Sequence, residues 1–236
     1  MTFKTRVHNL CIESASEFPG WSFASGVFKN KALKHTTLTI DPGFFFANGN
    51  TPFQPCIALL HKRSMTLFKS LNGYNQPTSI VNFQIVPQLL EYTPDALRRG
   101  GSIVEDKSIQ MKLAPPSKLA AVRMIDISEA KPLLRATLLD GIQLINRLYD
   151  LSSEEHFLRG LPPQYETFSD TVLYDEFEQS KAVMLCIVRV LIGEPGFVED
   201  YRSDSYKTIF PKRIKELDNI IAALPELKKL ASERAM

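Results

Sequence analysis

The chain has 236 residues, 44% of them hydrophobic and 23% charged, and its 28 Lys+Arg against 26 Asp+Glu leave a net charge of +2. That balance excludes a disordered chain, and 11 Gly and 15 Pro scattered without a period exclude collagen-like or other low-complexity structure. A chain of this size buries roughly 70% of its unfolded surface, so a soluble globular protein with a substantial core is expected.

Met1 to His8 has no apolar run behind its basic residues, so no secretory signal is expected. His8 and Cys11 form H-x-x-C, two ligands where a zinc site needs three or four, so no metal is expected. Trp21 to Val27 alternates large apolar and small residues, the period of a half-buried strand. His35 to Ile40 is rich in β-branched residues and ends at the turn Asp41-Pro42-Gly43. Gly43 to Phe46 then runs into Asn48-Gly49, a hairpin signal because both residues accept positive φ, with Pro55 to His61 as the returning arm. Ser64–Leu71 and Pro87–Arg99 read as short helices. Ile80–Val86 and Ser108–Leu113 read as strands. Gly100-Gly101-Ser102 lacks the G-x-x-x-x-G-K of a phosphate loop and reads as a helix C-cap.

Ala114-Pro115-Pro116-Ser117 is the clearest punctuation, and after it the period changes. Asp126 to Tyr149 carries Leu134, Leu138, Leu139, Ile142 and Ile145 at helical spacing, with Ser128 as N-cap. Ser152/Ser153 followed by Glu154-Glu155 opens a short helix that stops at Gly160, where the two carboxylates meet the helix dipole as an exposed start. Tyr174 to Ile192 is a long helix, nearly all apolar from Ala182 and so buried on most sides, and Gly193 to Gly196 ends it. Pro211–Ala223 and Leu224–Ala235 read as two helices, with Pro225 at their junction. Strands followed by a run of helices predict an α+β fold, an N-terminal antiparallel sheet packed against a C-terminal set of α-helices. The expected organisation is one domain over 1–236, strand-rich over 1–113 and helical over 118–236; two small domains meeting near residue 115 are the alternative.

Nothing in the sequence dictates a reaction. Cys11, Cys56 and Cys186 are an odd count with no CxxC, as suits a reduced, cytoplasmic protein. Cys56 and His61 are five apart, which on one strand puts them on opposite faces and weakens a nucleophile–base pairing. No cofactor is implied, no segment reaches the ~20 apolar residues of a membrane span, and no basic cluster interleaved with aromatics suggests nucleic acid. Charge is nevertheless uneven: residues 1–100 hold 10 Lys+Arg against 5 Asp+Glu, and residues 150–204 hold 4 against 12. The acidic block is either a solvated helical face or a surface complementary to a basic protein, since matching fields speed encounter. Nearby tyrosines add apolar area with a hydrogen bond. The partner-binding candidates are Glu166, Asp170, Tyr174, Asp175, Glu178 and Tyr201.

The segment Phe18-Pro19-Gly20-Trp21-Ser22-Phe23-Ala24-Ser25-Gly26-Val27-Phe28 resembles the opening of bacterial immunity-type domains of polymorphic-toxin systems, in pattern over residues 1–60 and in order of elements thereafter. The resemblance implies a curved antiparallel sheet followed by helices. It also implies a non-enzymatic protein that neutralises a cognate toxin by binding, with no catalytic residue. The expected function is therefore occlusion of a partner, a basic toxin, by the acidic face. The alternative is a small enzyme or ligand-binding protein with a pocket between sheet and helices, lined by Trp21, Phe23, His35, Phe44 and His61.

Overall fold

The chain opens with a helix that the strand pattern did not predict. Helix α1 (Phe3–Ser16) buries Phe3, Val7, Cys11, Ser14 and Ala15, one stripe at spacings of three and four, and the Thr2 side chain caps it by accepting from the Thr5 N–H. The computed structural model describes residues 1–74, 81–84, 101–108, 124–161, 176–202 and 213–232, with backbone alone for 81–84, 176–178, 181, 200–202 and 230–232.

The predicted strand over Trp21–Val27 is two strands. β1 (Trp21–Ala24) and β2 (Val27–Asn30) pair antiparallel, with Phe23 opposite Phe28. Between them Ser25 and Gly26 take φ of 56° and 84°, a two-residue turn that matches the strand twist. β3 (Thr36–Asp41) follows where predicted and pairs antiparallel with β2. Asn48 and Gly49 do make a positive-φ turn, but its arm is not Pro55–His61. Ala47 bridges Asn50, and Asn50 opens the short strand β4 (Asn50–Phe53); β5 (Cys56–His61) is a separate strand. α2 (Lys62–Asn72) comes next, then β6 (Val81–Gln84).

Gly101–Val104 is strand β7, not a helix cap: it pairs antiparallel with β4 and parallel with β8 (Met124–Asp126). The two sheets have strand orders β1-β2-β3-β5-β6 and β4-β7-β8. Residues 107–108 are helical; 109–113, like the predicted helix over 87–99 and the break at 114–117, lies outside the described residues.

A 3₁₀ turn (Ile127–Glu129) leads into α3 (Ala130–Leu148). Asp126 rather than Ser128 caps this turn, accepting from the Ser128 N–H at 2.9 Å and from its hydroxyl at 2.7 Å, so that the Ser128 side chain is a donor to the cap. The inward stripe of α3 includes Leu134, Leu138, Gly141, Leu144 and Ile145, while Leu148 is exposed. α4 (Glu154–Arg159) is capped by Ser153, as read. α5 (Glu176–Leu191) is buried all round from Ala182 to Val190 and ends at Gly193 with φ 87°. α6 (Gly196–Arg202) follows. The two predicted C-terminal helices are one, α7 (Ile214–Ser232), with Pro225 inside it. Pro225 deprives the Ile221 carbonyl of its donor at a cost of about 3 kcal/mol, which the continuous buried stripe Leu217, Ile220, Leu224 and Leu227 offsets.

The fold is α+β, as expected. It divides into two compact units that alternate along the chain: residues 1–32, 37–59 and 82–148 form one, and 33–36, 60–81 and 149–236 the other. In the first unit α1 packs on α3 and on β1, with ion pairs Lys131–Glu13 at 2.9 Å and Arg135–Glu17 along the helix seam. In the second, α5 is the central helix, contacted by α2, α4, α6 and α7. Among the described residues no helix is long and apolar enough to cross a membrane.

Candidate functional site

The second unit holds a cavity of about 1040 Å³. Its chemistry centres on His61, which reaches its place by two local rules. β5 alternates burial residue by residue, so His61 falls on the inward face with Ile57 and Leu59, and Cys56 on the other. It is also the last residue of β5 and the N-cap of α2, with extended backbone (φ −108°, ψ 106°). Its Nδ1 accepts from the Ser64 N–H at 3.3 Å and lies 2.6 Å from the Ser64 hydroxyl, both within the buried cap. A ring nitrogen that accepts carries no proton, so in the neutral imidazole the proton sits on Nε2. Among the described residues that nitrogen is buried without a hydrogen-bond partner. The closest carboxylate oxygen is Glu154 Oε1, 3.7 Å away and too far to accept the proton.

Glu154 is not the exposed helix start that its sequence suggests. Its carboxylate accepts from the His35 N–H at 3.0 and 3.2 Å and from the Thr36 hydroxyl at 2.7 Å, and only about 20% of the side chain is exposed. Burial pulls the His61 pKa down to about 4, against the upward pull of Glu154 and with the help of Arg63 and His35. Desolvation wins: at neutral pH the ring is uncharged, with a donor N–H aimed beside a fixed carboxylate.

The rest of the lining combines buried and half-buried apolar side chains with cations, most of them exposed. Leu158, Val190, Leu191, Ile192 and Leu227 line it, with Lys62, Arg63, Arg159 and Lys228 as its cations. Arg159 is committed to Glu155 at 3.0 Å, to Glu194 at 2.7 Å and to the Ile192 carbonyl at 3.1 Å. Glu194 also holds the buried Arg189 at 3.0 Å, and Arg189 stacks on Phe197. This network fixes the C-terminal end of α5 where it borders the cavity.

A second cavity, of about 570 Å³, lies in the first unit and is lined by His8, Phe23, Phe44, Phe46, Lys4 and Asp41. His8 packs edge-on against Phe23 and Phe46 at 5.3 and 5.4 Å. Desolvation, then Lys4, lowers its pKa. The single pocket expected from Trp21, Phe23, His35, Phe44 and His61 is therefore divided: Phe23 and Phe44 line one cavity, His35 and His61 the other, and Trp21 neither. Burial raises the thiol pKa of Cys11 and Cys186, and that of Cys56 to about 11, so none is poised as a thiolate. Among the described residues no group of three or more His, Cys, Asp or Glu is placed to hold a metal ion.

Of the six partner-binding candidates, Glu166, Asp170, Tyr174 and Asp175 lie outside the described residues. Glu178 falls in the first turn of α5 and Tyr201 near the end of α6, each with backbone alone. Sequence reasoning missed the His61–Ser64–Glu154 cluster. The local part, a polar residue three before Ser64 at a strand–helix junction, was readable as a cap; the approach of Glu154, ninety-three positions on, was not. Comparison with family models, curated proteins and solved structures finds no match to this chain.

Proposed function

We propose that the second unit is a small-molecule-binding site whose polar anchor is the Nε2–H of His61. One observation supports this above the others: His61, whose buried Nε2 has no hydrogen-bond partner among the described residues, is a lining residue of a cavity of ligand size. An unmet buried donor costs about 1–3 kcal/mol, so an oxygen that accepts from it recovers that cost on binding. The Glu154 carboxylate beside it offers an acceptor to any hydroxyl or amine on the same ligand. Neutral imidazole next to a fixed carboxylate orients a bound oxygen and needs no metal ligand or thiolate.

The test follows thermal denaturation against a panel of small organic molecules, for the native chain and for His61→Asn. Asparagine is a good N-cap, so the variant keeps α2 capped while losing the Nε2–H. A ligand present at a hundred times its Kd stabilises by about 2.7 kcal/mol. The expected result is a ligand that raises the midpoint of the native chain and not of the variant. If no molecule shifts either protein, and a basic protein co-purifies stoichiometrically from source cells, the acidic stretch 150–204 and occlusion of a toxin replace this reading.

A further inference from the structure

The lining of the same cavity indicates a class of ligand, and this inference rests on the binding reading above. We infer that the cavity takes a small organic acid with an apolar body, its acidic group held at the mouth by Lys62 and Lys228 and an uncharged oxygen of its inner end by His61.

The charge distribution comes first. The lining carries four cations against two carboxylates, and both carboxylates are already answered. Glu154 takes the His35 N–H and the Thr36 hydroxyl, and Glu155 takes Arg159. Among the described residues Lys62 and Lys228, both exposed, have no carboxylate within ion-pair distance. The second argument is local frustration. Lys62 and Arg63 occupy the first turn of α2, which contains no acidic residue. The positive end of a helix dipole disfavours cations there, and a sequence that breaks a local rule usually does so at a site. A bound anion supplies negative charge beside Lys62.

The third argument is the wall. Leu67, Leu158, Val190, Leu191, Ile192 and Leu227 bury an apolar body, and 1040 Å³ far exceeds what acetate or inorganic phosphate fills. Glu154 lies too close to His61 Nε2 for a second carboxylate to settle there, so the acid faces the lysines and the inner oxygen is neutral.

The experiment titrates the full chain with 8-anilinonaphthalene-1-sulfonate, following dye fluorescence and the His61 ring resonances by NMR. The dye is then displaced with decanoate, decanol, decyltrimethylammonium and acetate. Expected are one-to-one dye binding, a shifted His61 resonance, and displacement by decanoate at concentrations at least tenfold below those needed with decanol or the cation, with acetate inert. The double variant Lys62→Glu/Lys228→Glu should weaken decanoate at least tenfold and leave decanol within twofold. It should also fold, because a carboxylate at the first helical position is favoured and Lys228 is exposed, so its reversal disturbs no core packing. Decanol or decyltrimethylammonium displacing as well as decanoate, or a double variant that still prefers decanoate, overturns the acid class while the cavity reading stands. Failure of every compound to move the His61 resonance overturns both.

Discussion

Replacing Gly141 by alanine sets two known effects against each other at one position. Gly141 lies inside α3, where alanine gains about 1 kcal/mol of helix propensity. A Cβ there would stand 2.5 Å from Ile40 Cδ1, 2.9 Å from its Cγ1 and 3.3 Å from its Cγ2. Turning the outer methyl away does not relieve the Cγ1 contact. Ile40 is fully buried on β3 and, being β-branched, is stiff at χ1. Overpacking costs about 1–3 kcal/mol, and two contacts under 3 Å put this site in the upper half of that range, so the clash outweighs the propensity and the net loss is about 1–2 kcal/mol. The chain's one tryptophan, Trp21, belongs to the same unit as Gly141 and Ile40, so its fluorescence in a urea titration reports on that unit. With a slope of roughly 2 kcal/mol per molar urea, the middle of the usual range, Gly141→Ala should lower the midpoint by about 0.5–1 M. In an Ile40→Ala background, which itself costs about 2–5 kcal/mol, the same substitution should change sign and stabilise by up to about 1 kcal/mol. A Gly141→Ala that is neutral or stabilising in the native background, or a cost unchanged by Ile40→Ala, refutes the packing argument.

Three further outcomes follow from the geometry. The His61 pKa is about 4 folded and near 6.5 unfolded, so its contribution is complete above about pH 6.5 and is lost as pH falls towards 4, where both states bind the proton. Urea midpoints by far-UV circular dichroism at pH 7.5, 5.5 and 4 should therefore drop less for His61→Asn than for the native chain. Arg213 and Tyr74 share one oxygen of the buried Glu216, at 2.8 and 2.6 Å; Arg213→Met should cost about 3 kcal/mol in thermal denaturation, with much of it regained on adding Glu216→Leu. Ser25→Asn, at a turn position of φ 56° followed by glycine, should raise the Trp21-monitored unfolding free energy by about 0.5 kcal/mol; a loss there would show the turn to be misassigned.

Signals carried within a few residues were legible. Ser153 with Glu154, Gly193 after α5, and the β-branched run of β3 each specify structure through their own backbone or cap, and each element stands where it was read. Errors came where one local signal admitted two geometries. Small residues in Trp21–Val27 fit a strand and a Ser25-Gly26 turn equally, and Pro225 marks a helix junction or a tolerated interior proline depending on what its flanks bury. Helix α1 is hard to read because its apolar stripe, Phe3, Val7, Cys11 and Ala15, is a single residue wide among polar neighbours. Strands β7 and β8, four and three residues long, exist through pairing with β4 and each other, which no periodicity encodes. The candidate site divides in the same way: the odd spacing of Cys56 and His61 told their opposite faces, whereas Glu154 joins His61 through contacts ninety-three positions apart.

The alternation of the two units along the chain has a consequence for synthesis. Residues 1–148 contain every segment of the first unit, so it can begin to condense on the ribosome while the second has only Leu33–Thr36 and Leu60–Val81 in hand. Those segments, with His61 and the apolar face of α2, wait for partners as distant as Leu227. At translation rates of about 5–20 residues per second that delay is roughly 10–30 s. Over that interval the nascent chain presents part of the cavity lining to whatever chaperone is near.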